Sequence, residues 1–145
     1  KDVKAAGDTV TPLCGGHNGI ETRMPVTYAK MVSTGRISLE RFAEITSTNA
    51  AKILGMYPQK GAIAVGSDAD IVLFDPDANK KLTLDDLHAD SDYSIWEGFQ
   101  TTGYPVTTIL RGKVIVENGQ LLGSASDGRW LNRKVSPSVL ARPAC

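Results

Sequence analysis

The sequence predicts helices in the first part of the chain and β-strands in the second, which makes two structural units in series instead of one interleaved α/β domain. Two observations lead to this prediction. From Met24 to Leu54, apolar residues recur at helical spacing. After Pro58 the pattern changes to short apolar runs separated by turn residues, which is typical of strands in an antiparallel sheet.

The composition is that of a globular protein with balanced charge. The 145 residues are 41% hydrophobic and 22% charged, with 16 basic and 16 acidic side chains. This balance argues against nucleic acid or a membrane surface as a partner. No apolar run reaches membrane-spanning length and no signal peptide is recognisable. Two widely spaced cysteines, Cys14 and Cys145, do not suggest a disulfide framework, so we expect reduced thiols and a cytoplasmic location.

Three helices are predicted in the first unit. The first spans residues 21–32, the second follows Ser38 as its cap, and the third runs from about Thr48 to Leu54 and stops at Gly55. Helices this short depend on tertiary packing, so the unit should need a partner. The predicted buried positions are Met24, Tyr28 and Met31, then Leu39, Phe42, Ala43 and Ile45, then Ala50, Ile53 and Leu54.

Five strands are predicted in the second unit. Ile71–Phe74 is a continuous apolar run, which predicts a strand buried on both faces, and Asp75-Pro76 should end it. The stretch Asp77–Gly103 is polar and predicted to be mostly irregular. Arg111-Gly112 and Asn118-Gly119 are hairpin turn signals. The predicted strands are Ala62–Val65, Ile71–Phe74, Val106–Leu110, Val114–Val116 and Gln120–Leu122.

The side chains that could perform chemistry are few and scattered. His17 and His88 form neither an HxH nor an HExxH motif, and a catalytic zinc site needs at least three protein ligands. Cys14 could pair with His17, although nothing else supports a nucleophilic thiol. Three carboxylates lack the spacing of a calcium loop and are interpreted as turn and strand-end groups: Asp68, Asp70 and Asp75.

The loop CGGHNGIE, Cys14–Glu21, is the best candidate for ligand binding in the chain. Its glycines allow the backbone to approach a small polar ligand closely. A tight turn leading into the first helix is the alternative, which the residues themselves favour. The loop contains neither of the two common phosphate-binding patterns.

Four segments together resemble the C-terminal part of the hydantoinase and dihydropyrimidinase family of cyclic amidohydrolases. They are GGHNGIETRMP (Gly15–Pro25), GRISLERFAEITSTNAAKILGMYPQKGAIAVGSDADIVLFDP (Gly35–Pro76), DYSIWEGF (Asp92–Phe99) and PVTTILRGKVIVENGQLLG (Pro105–Gly123). The resemblance is nearly collinear from about Lys4 to Arg133. GSDADIV is shared with many amidohydrolases, whereas TSTNAAKILGMYPQKG and DYSIWEGF narrow the resemblance to the hydantoinase-like branch.

The resemblance implies an α/β amidohydrolase fold in three parts. Residues 1–58 would form the C-terminal end of a (β/α)8 TIM barrel, residues 59–123 part of a small composite β-sandwich, and residues 124–145 an extended tail. It also implies a hydrolase that opens hydantoin or dihydropyrimidine rings to N-carbamoyl amino acids with two divalent metal ions, usually zinc. The family's metal ligands and catalytic aspartate lie upstream of the matched region. The resemblance therefore assigns no catalytic residue and no metal ligand to this chain, which should be inactive alone.

One element of substrate binding carries over by resemblance. In the family, backbone groups in this loop hold the cyclic imide or ureide, and the matching position is Gly15, with Cys14 and Gly16 beside it. The resemblance further implies a homotetramer and an upstream barrel segment as partners, besides the small cyclic amide or ureide. A non-catalytic oligomeric scaffold related to dihydropyrimidinase is the alternative function, since some relatives have lost the metal ligands.

Overall fold

The computed structural model of the protein describes residues 16–141, and its main helices precede its strands, as predicted. Helix α1 (Arg23–Thr27) continues directly into a π-helical turn, Tyr28–Val32. Helix α2 (Leu39–Ala43) continues through a second π-helical turn, Glu44–Thr48, into helix α3 (Asn49–Ile53). The second and third predicted helices are thus one continuous helical run. Within the described residues, no helix has the length and apolar character needed to cross a membrane.

Local chemistry sets both ends of this run. The Ser38 hydroxyl oxygen accepts a hydrogen bond from the Arg41 backbone N–H at 3.2 Å, which caps the start of α2 as predicted. Gly55 has a φ of +72°, the left-handed conformation that commonly ends a helix. Its carbonyl oxygen accepts a hydrogen bond from the Lys134 N–H at 3.0 Å, so the C-terminal segment packs against this helix end.

The strands form one antiparallel sheet in the order β1-β2-β3-β4. Their bounds are Ile71–Lys81 (β1), Gln100–Leu110 (β2), Lys113–Glu117 (β3) and Gln120–Leu121 (β4). Arg111 and Asn118 both have a φ of +48° and each precedes a glycine with positive φ, which confirms the two predicted hairpin turns. Three short segments complete the structure: 3-10 turns at Leu84–Asp86 and Ala125–Asp127, and helix α4 at Pro137–Leu140.

Several predictions about the strands are wrong. Ala62–Val65 forms no strand, and β1 does not stop at Asp75-Pro76 but continues to Lys81. The pairing of β1 with β2 shifts register after Leu73 and again after Asp75, and such irregularities let a strand accommodate a proline. Two of the four residues in the apolar run of β1 are exposed, so the run is not buried on both faces.

The core lies between the helices and the sheet and is small. The rings of Tyr28, Phe42 and Phe74 pack together, with centroids 4.6–6.0 Å apart. Leu82, which directly follows β1, and Thr101, which lies in β2, are almost completely buried.

The predicted helix faces are only partly correct. Tyr28 and Phe42 are buried, but Ala51 is buried in place of Ala50. Five apolar residues of this helical run that were predicted as buried are exposed in the structure: Leu39, Ala43, Ile45, Ile53 and Leu54.

Candidate functional site

An open cleft of about 320 Å³ lies between two segments that are far apart in sequence. One wall is the loop before α1, residues 18–22, and the other is residues 87–89, which follow β1 and a 3-10 turn. The loop folds tightly into α1, because Thr22 is buried and its hydroxyl donates a hydrogen bond to the Gly19 carbonyl oxygen at 3.3 Å. The first wall of the cleft is therefore held by the start of the helix.

Asn18 is the most unusual polar residue of the cleft. Its side-chain Nδ2 and Oδ1 are both buried, and neither has a hydrogen-bond partner among the described residues. A buried polar group without a partner costs about 1–3 kcal/mol, and most such groups in native proteins are satisfied. The amide thus has one unused donor group and one unused acceptor beside the cleft.

Glu21 and His88 connect the two walls. Oε2 of Glu21 accepts a hydrogen bond from the His88 backbone N–H at 2.9 Å, and Oε1 lies 2.9 Å from the His88 Nδ1. The hydrogen bond to the Glu21 carboxylate and its charge raise the pKa of His88, while the positive charge of Lys80 lowers it slightly. The pair therefore holds a charged hydrogen bond at the edge of the cleft when His88 is protonated.

Of the three predicted site residues, the structure describes only Gly16. Gly16 has a φ of +78°, and its carbonyl oxygen accepts a hydrogen bond from the Tyr93 hydroxyl at 2.8 Å. Cys14 and Gly15 lie outside the described residues, so their main-chain role stays a prediction. The proposed pairing of Cys14 with His17 is likewise untested, and the exposed His17 has its Nδ1 3.0 Å from the Asn18 carbonyl oxygen.

Asp68 and Asp70 act as turn groups before β1, as predicted, whereas Asp75 lies within β1 and not at its end. Asp68 binds Lys60 at 2.9 Å and Arg129 at 3.0 Å. Asp70 binds the same lysine and accepts a hydrogen bond from the Arg111 backbone N–H at 2.8 Å. Across residues 16–141, histidine, cysteine and carboxylate side chains form no group of three or more that could hold a metal ion. The described residues therefore do not by themselves provide the ligands for the pair of divalent metal ions that the resemblance implies.

Comparison with known proteins defines the class. The model of the Amidohydrolase family matches residues 2–115, and the chain belongs to this family. It is 49% identical to a D-hydantoinase of Ralstonia pickettii over 82% of its length, and 44% identical to a dihydropyrimidinase of Rattus norvegicus over 90%. These matches confirm the resemblance to the hydantoinase and dihydropyrimidinase branch. The chain spans about a quarter of each relative, 26% and 25% respectively.

Solved structures give the same assignment. A D-hydantoinase structure superimposes with a TM-score of 0.82 and 46% identity, covering 86% of this chain and 27% of that one. The dihydropyrimidinase of Brevibacillus agri NCHU1002 superimposes with a TM-score of 0.83 and 44% identity over the same shares. The described part of the chain therefore has the fold of the corresponding part of an amidohydrolase.

The sequence predicts the loop as a ligand-binding segment, but it does not identify Asn18, Glu21 or His88 as the polar residues of the cleft. The loop Cys14–Glu21 contains Asn18 and Glu21, and its glycines were the signal that selected it. The opposite wall carried no signal, because His88 is separated from Glu21 by 67 positions and lies in a stretch predicted to be irregular. Only the three-dimensional structure brings the two segments together.

Proposed function

We propose that the chain forms part of a hydrolase that opens hydantoin or dihydropyrimidine rings to N-carbamoyl amino acids. One observation carries this proposal: identities of 44–49% to a D-hydantoinase and a dihydropyrimidinase extend over at least 82% of the chain. The segment would provide the C-terminal end of the catalytic barrel and part of the β-sandwich in a cytoplasmic homotetramer.

The cleft beside Asn18 is the proposed point of contact with the substrate. A cyclic amide or ureide presents N–H and C=O groups side by side, and the free side-chain amide of Asn18 offers the complementary acceptor and donor. A cleft of about 320 Å³ suits a small ring. The predicted main-chain contacts at Cys14, Gly15 and Gly16 would lie in the loop that leads into this cleft.

Metal binding is proposed to lie outside the described residues. The family resemblance implies two divalent ions, zinc in the usual case, but residues 16–141 contain no suitable ligand cluster. The chain alone should therefore bind substrate weakly and should not hydrolyse it. Turnover of hydantoin or dihydrouracil by the chain with added zinc or manganese would contradict this part of the proposal.

The remaining barrel is proposed to cover the exposed side of α2 and α3. Exposed apolar side chains on this side include Leu39, Ile53 and Leu54, which a barrel segment would bury.

Binding to the cleft can be tested directly with the Asn18 side-chain amide as the reporter. Titration of the ¹⁵N-labelled chain with hydantoin or dihydrouracil should shift the Nδ2–H₂ resonances of Asn18 in a saturable manner. The near-isosteric variant Asn18→Leu should bind about tenfold more weakly, because both hydrogen bonds are lost. The same variant should raise the free energy of unfolding by about 1 kcal/mol, since the unsatisfied amide is removed.

Two results would contradict the proposal. One is the absence of any saturable shift in the wild-type chain. The other is an Asn18→Leu variant that binds as tightly as the wild type, which would place the ligand elsewhere. Self-association into a defined oligomer without ring binding would favour the scaffold function.

A further inference from the structure

We propose that Glu21 is a positioning residue that sets the spacing of the cleft walls through its contact with His88, so that protonation of His88 strengthens ligand binding. This inference rests on the proposed function, because it concerns the same cleft. Glu21 and His88 both line the cleft, one on each wall.

The geometry of the contact suits this role. The two carboxylate oxygens of Glu21 receive separate hydrogen bonds, one from the backbone and one from the ring of the same residue, each at 2.9 Å. This two-point contact fixes both the position and the orientation of residues 87–89 against the loop. A third hydrogen bond, from the Tyr93 hydroxyl to the Gly16 carbonyl oxygen, joins the chain close to the same two walls.

Only one of the two bonds depends on pH in the neutral range. The backbone N–H donates at every pH, whereas the ring bond is a charged pair only when His88 is an imidazolium. The groups that act on the His88 ring are Glu21, the backbone of Gly119 in the β3–β4 turn, and Lys80 on β1. Lys80 is itself paired with Asp86 at 3.4 Å, which leaves Glu21 as the dominant influence.

The direction of the pH effect follows from the pKa shift. The pKa of His88 is raised above its ordinary value of 6.5 by the Glu21 carboxylate. The charged pair is therefore complete below about 6.5 and weakens as the pH rises through the higher value of the folded protein. A ligand that needs the two walls held together by the Glu21–His88 pair binds in proportion to the fraction of molecules in which that pair is formed. Its affinity therefore falls over the same pH range.

The test is the pH dependence of hydantoin binding, followed by NMR at the Asn18 side-chain amide. In the wild type, the dissociation constant should increase by up to about fivefold as the pH rises through the His88 titration, the effect of one solvent-exposed ion pair. Glu21→Gln retains an acceptor for the backbone N–H and removes the charge, so its binding should be weak and nearly independent of pH. By reciprocity, saturating hydantoin should raise the pKa of His88 in the wild type and leave it unchanged in Glu21→Gln.

Glu44→Gln is the matched control. It removes the carboxylate of an exposed ion pair with Arg41 on α2, outside the cleft, and should keep the wild-type pH profile. If Glu21→Gln binds hydantoin with the same pH profile as the wild type, the positioning role is wrong while the proposed function stands. If the wild type shows no binding at all, both are wrong.

Discussion

Gly103 lies where the aromatic cluster of the helices packs against the sheet. It lies in β2, is buried and has a φ of +84°. A Cβ atom at this position would lie 2.4 Å from the Tyr28 ring and 2.7 Å from the Phe74 ring. Only glycine allows the aromatic cluster to approach the sheet this closely.

We expect Gly103→Ala to lower the free energy of unfolding by about 2–4 kcal/mol. About 1 kcal/mol comes from the left-handed backbone and the remainder from displacing packed rings. Gly119→Ala is the control, because Gly119 has a φ of +80° but open space around its Cβ position. It should lose only about 1 kcal/mol. Urea denaturation of both variants measures the difference, and equal losses would show that the contact with the rings carries no energy.

Residues whose roles depend on their immediate neighbours were predictable. The cap at Ser38 and the turns at Arg111-Gly112 and Asn118-Gly119 follow from side-chain chemistry within four positions. The contact of Glu21 with His88 was not predictable, because no local rule relates residues 67 positions apart. The free amide of Asn18 escaped prediction for the same reason, since burial without a partner depends on the surrounding fold.

At the scale of elements, Asp68 connects the turn before β1 to the C-terminal segment. Its carboxylate binds Lys60 and Arg129 and accepts a hydrogen bond from the Gln59 side chain at 3.2 Å. The hydrogen bond from Lys60, followed by that from Arg129, lowers the pKa of Asp68. Its stabilising effect is therefore present at neutral pH and is lost in acid as the pH falls through the lowered pKa.

We expect Asp68→Asn to release the C-terminal segment from the turn before β1. The loss of charge removes both ion pairs, and trypsin should then cleave several-fold faster after Arg129, Arg133 and Lys134 at neutral pH. Mass spectrometry of a limited digest identifies the cleavage sites. Glu44→Gln, which breaks only a surface pair, should leave the rate unchanged. Equal cleavage of the Asp68→Asn variant and the wild type would mean that other contacts hold the segment.

The course of β1 shows why element boundaries were harder to predict than element types. The apolar run predicts a strand at Ile71–Phe74, which is correct, but the strand does not end at Asp75-Pro76 as the sequence predicts. A proline ends a strand only where its missing N–H would have paired. Pro76 lies in the irregular stretch between the pairs Asp75–Tyr104 and Asn79–Thr102, where this requirement is absent. The irregularity arises from the pairing with β2, about 30 residues away in sequence.

At the scale of the whole molecule, the main feature is that the helical run buries some of its apolar side chains and leaves others exposed. Phe42 is 5% exposed, whereas Leu39, one turn earlier on α2, is 55% exposed. The helical periodicity predicted both as buried, and it is correct only for Phe42, which packs against the Tyr28 and Phe74 rings. Leu39 would be buried only if another chain or segment packed against it.

We expect the exposed apolar side of α2 and α3 to cause self-association of the isolated chain. Replacing Leu39 and Ile53 together by glutamine should reduce this association, measured by sedimentation velocity across a concentration series, with little loss of stability. Phe42→Ala, in the same helical run, should instead lower the free energy of unfolding by about 3–5 kcal/mol. An isolated chain that stays monomeric at high concentration would contradict this view of the surface.

The irregular course of β1 has a consequence for how such association can proceed. Among the described strands, β1 pairs only with β2, so its outer side is an edge of the sheet. A long, regular edge would recruit further strands and promote fibrous aggregation. Pro76 has no N–H to donate to an added strand, and its neighbours Asp75 and Asp77 add negative charge. Asp75-Pro76 does not end β1, but it makes the edge of this strand less able to pair with strands of other molecules. We therefore expect the chain to associate through its helices and not to polymerise through its sheet.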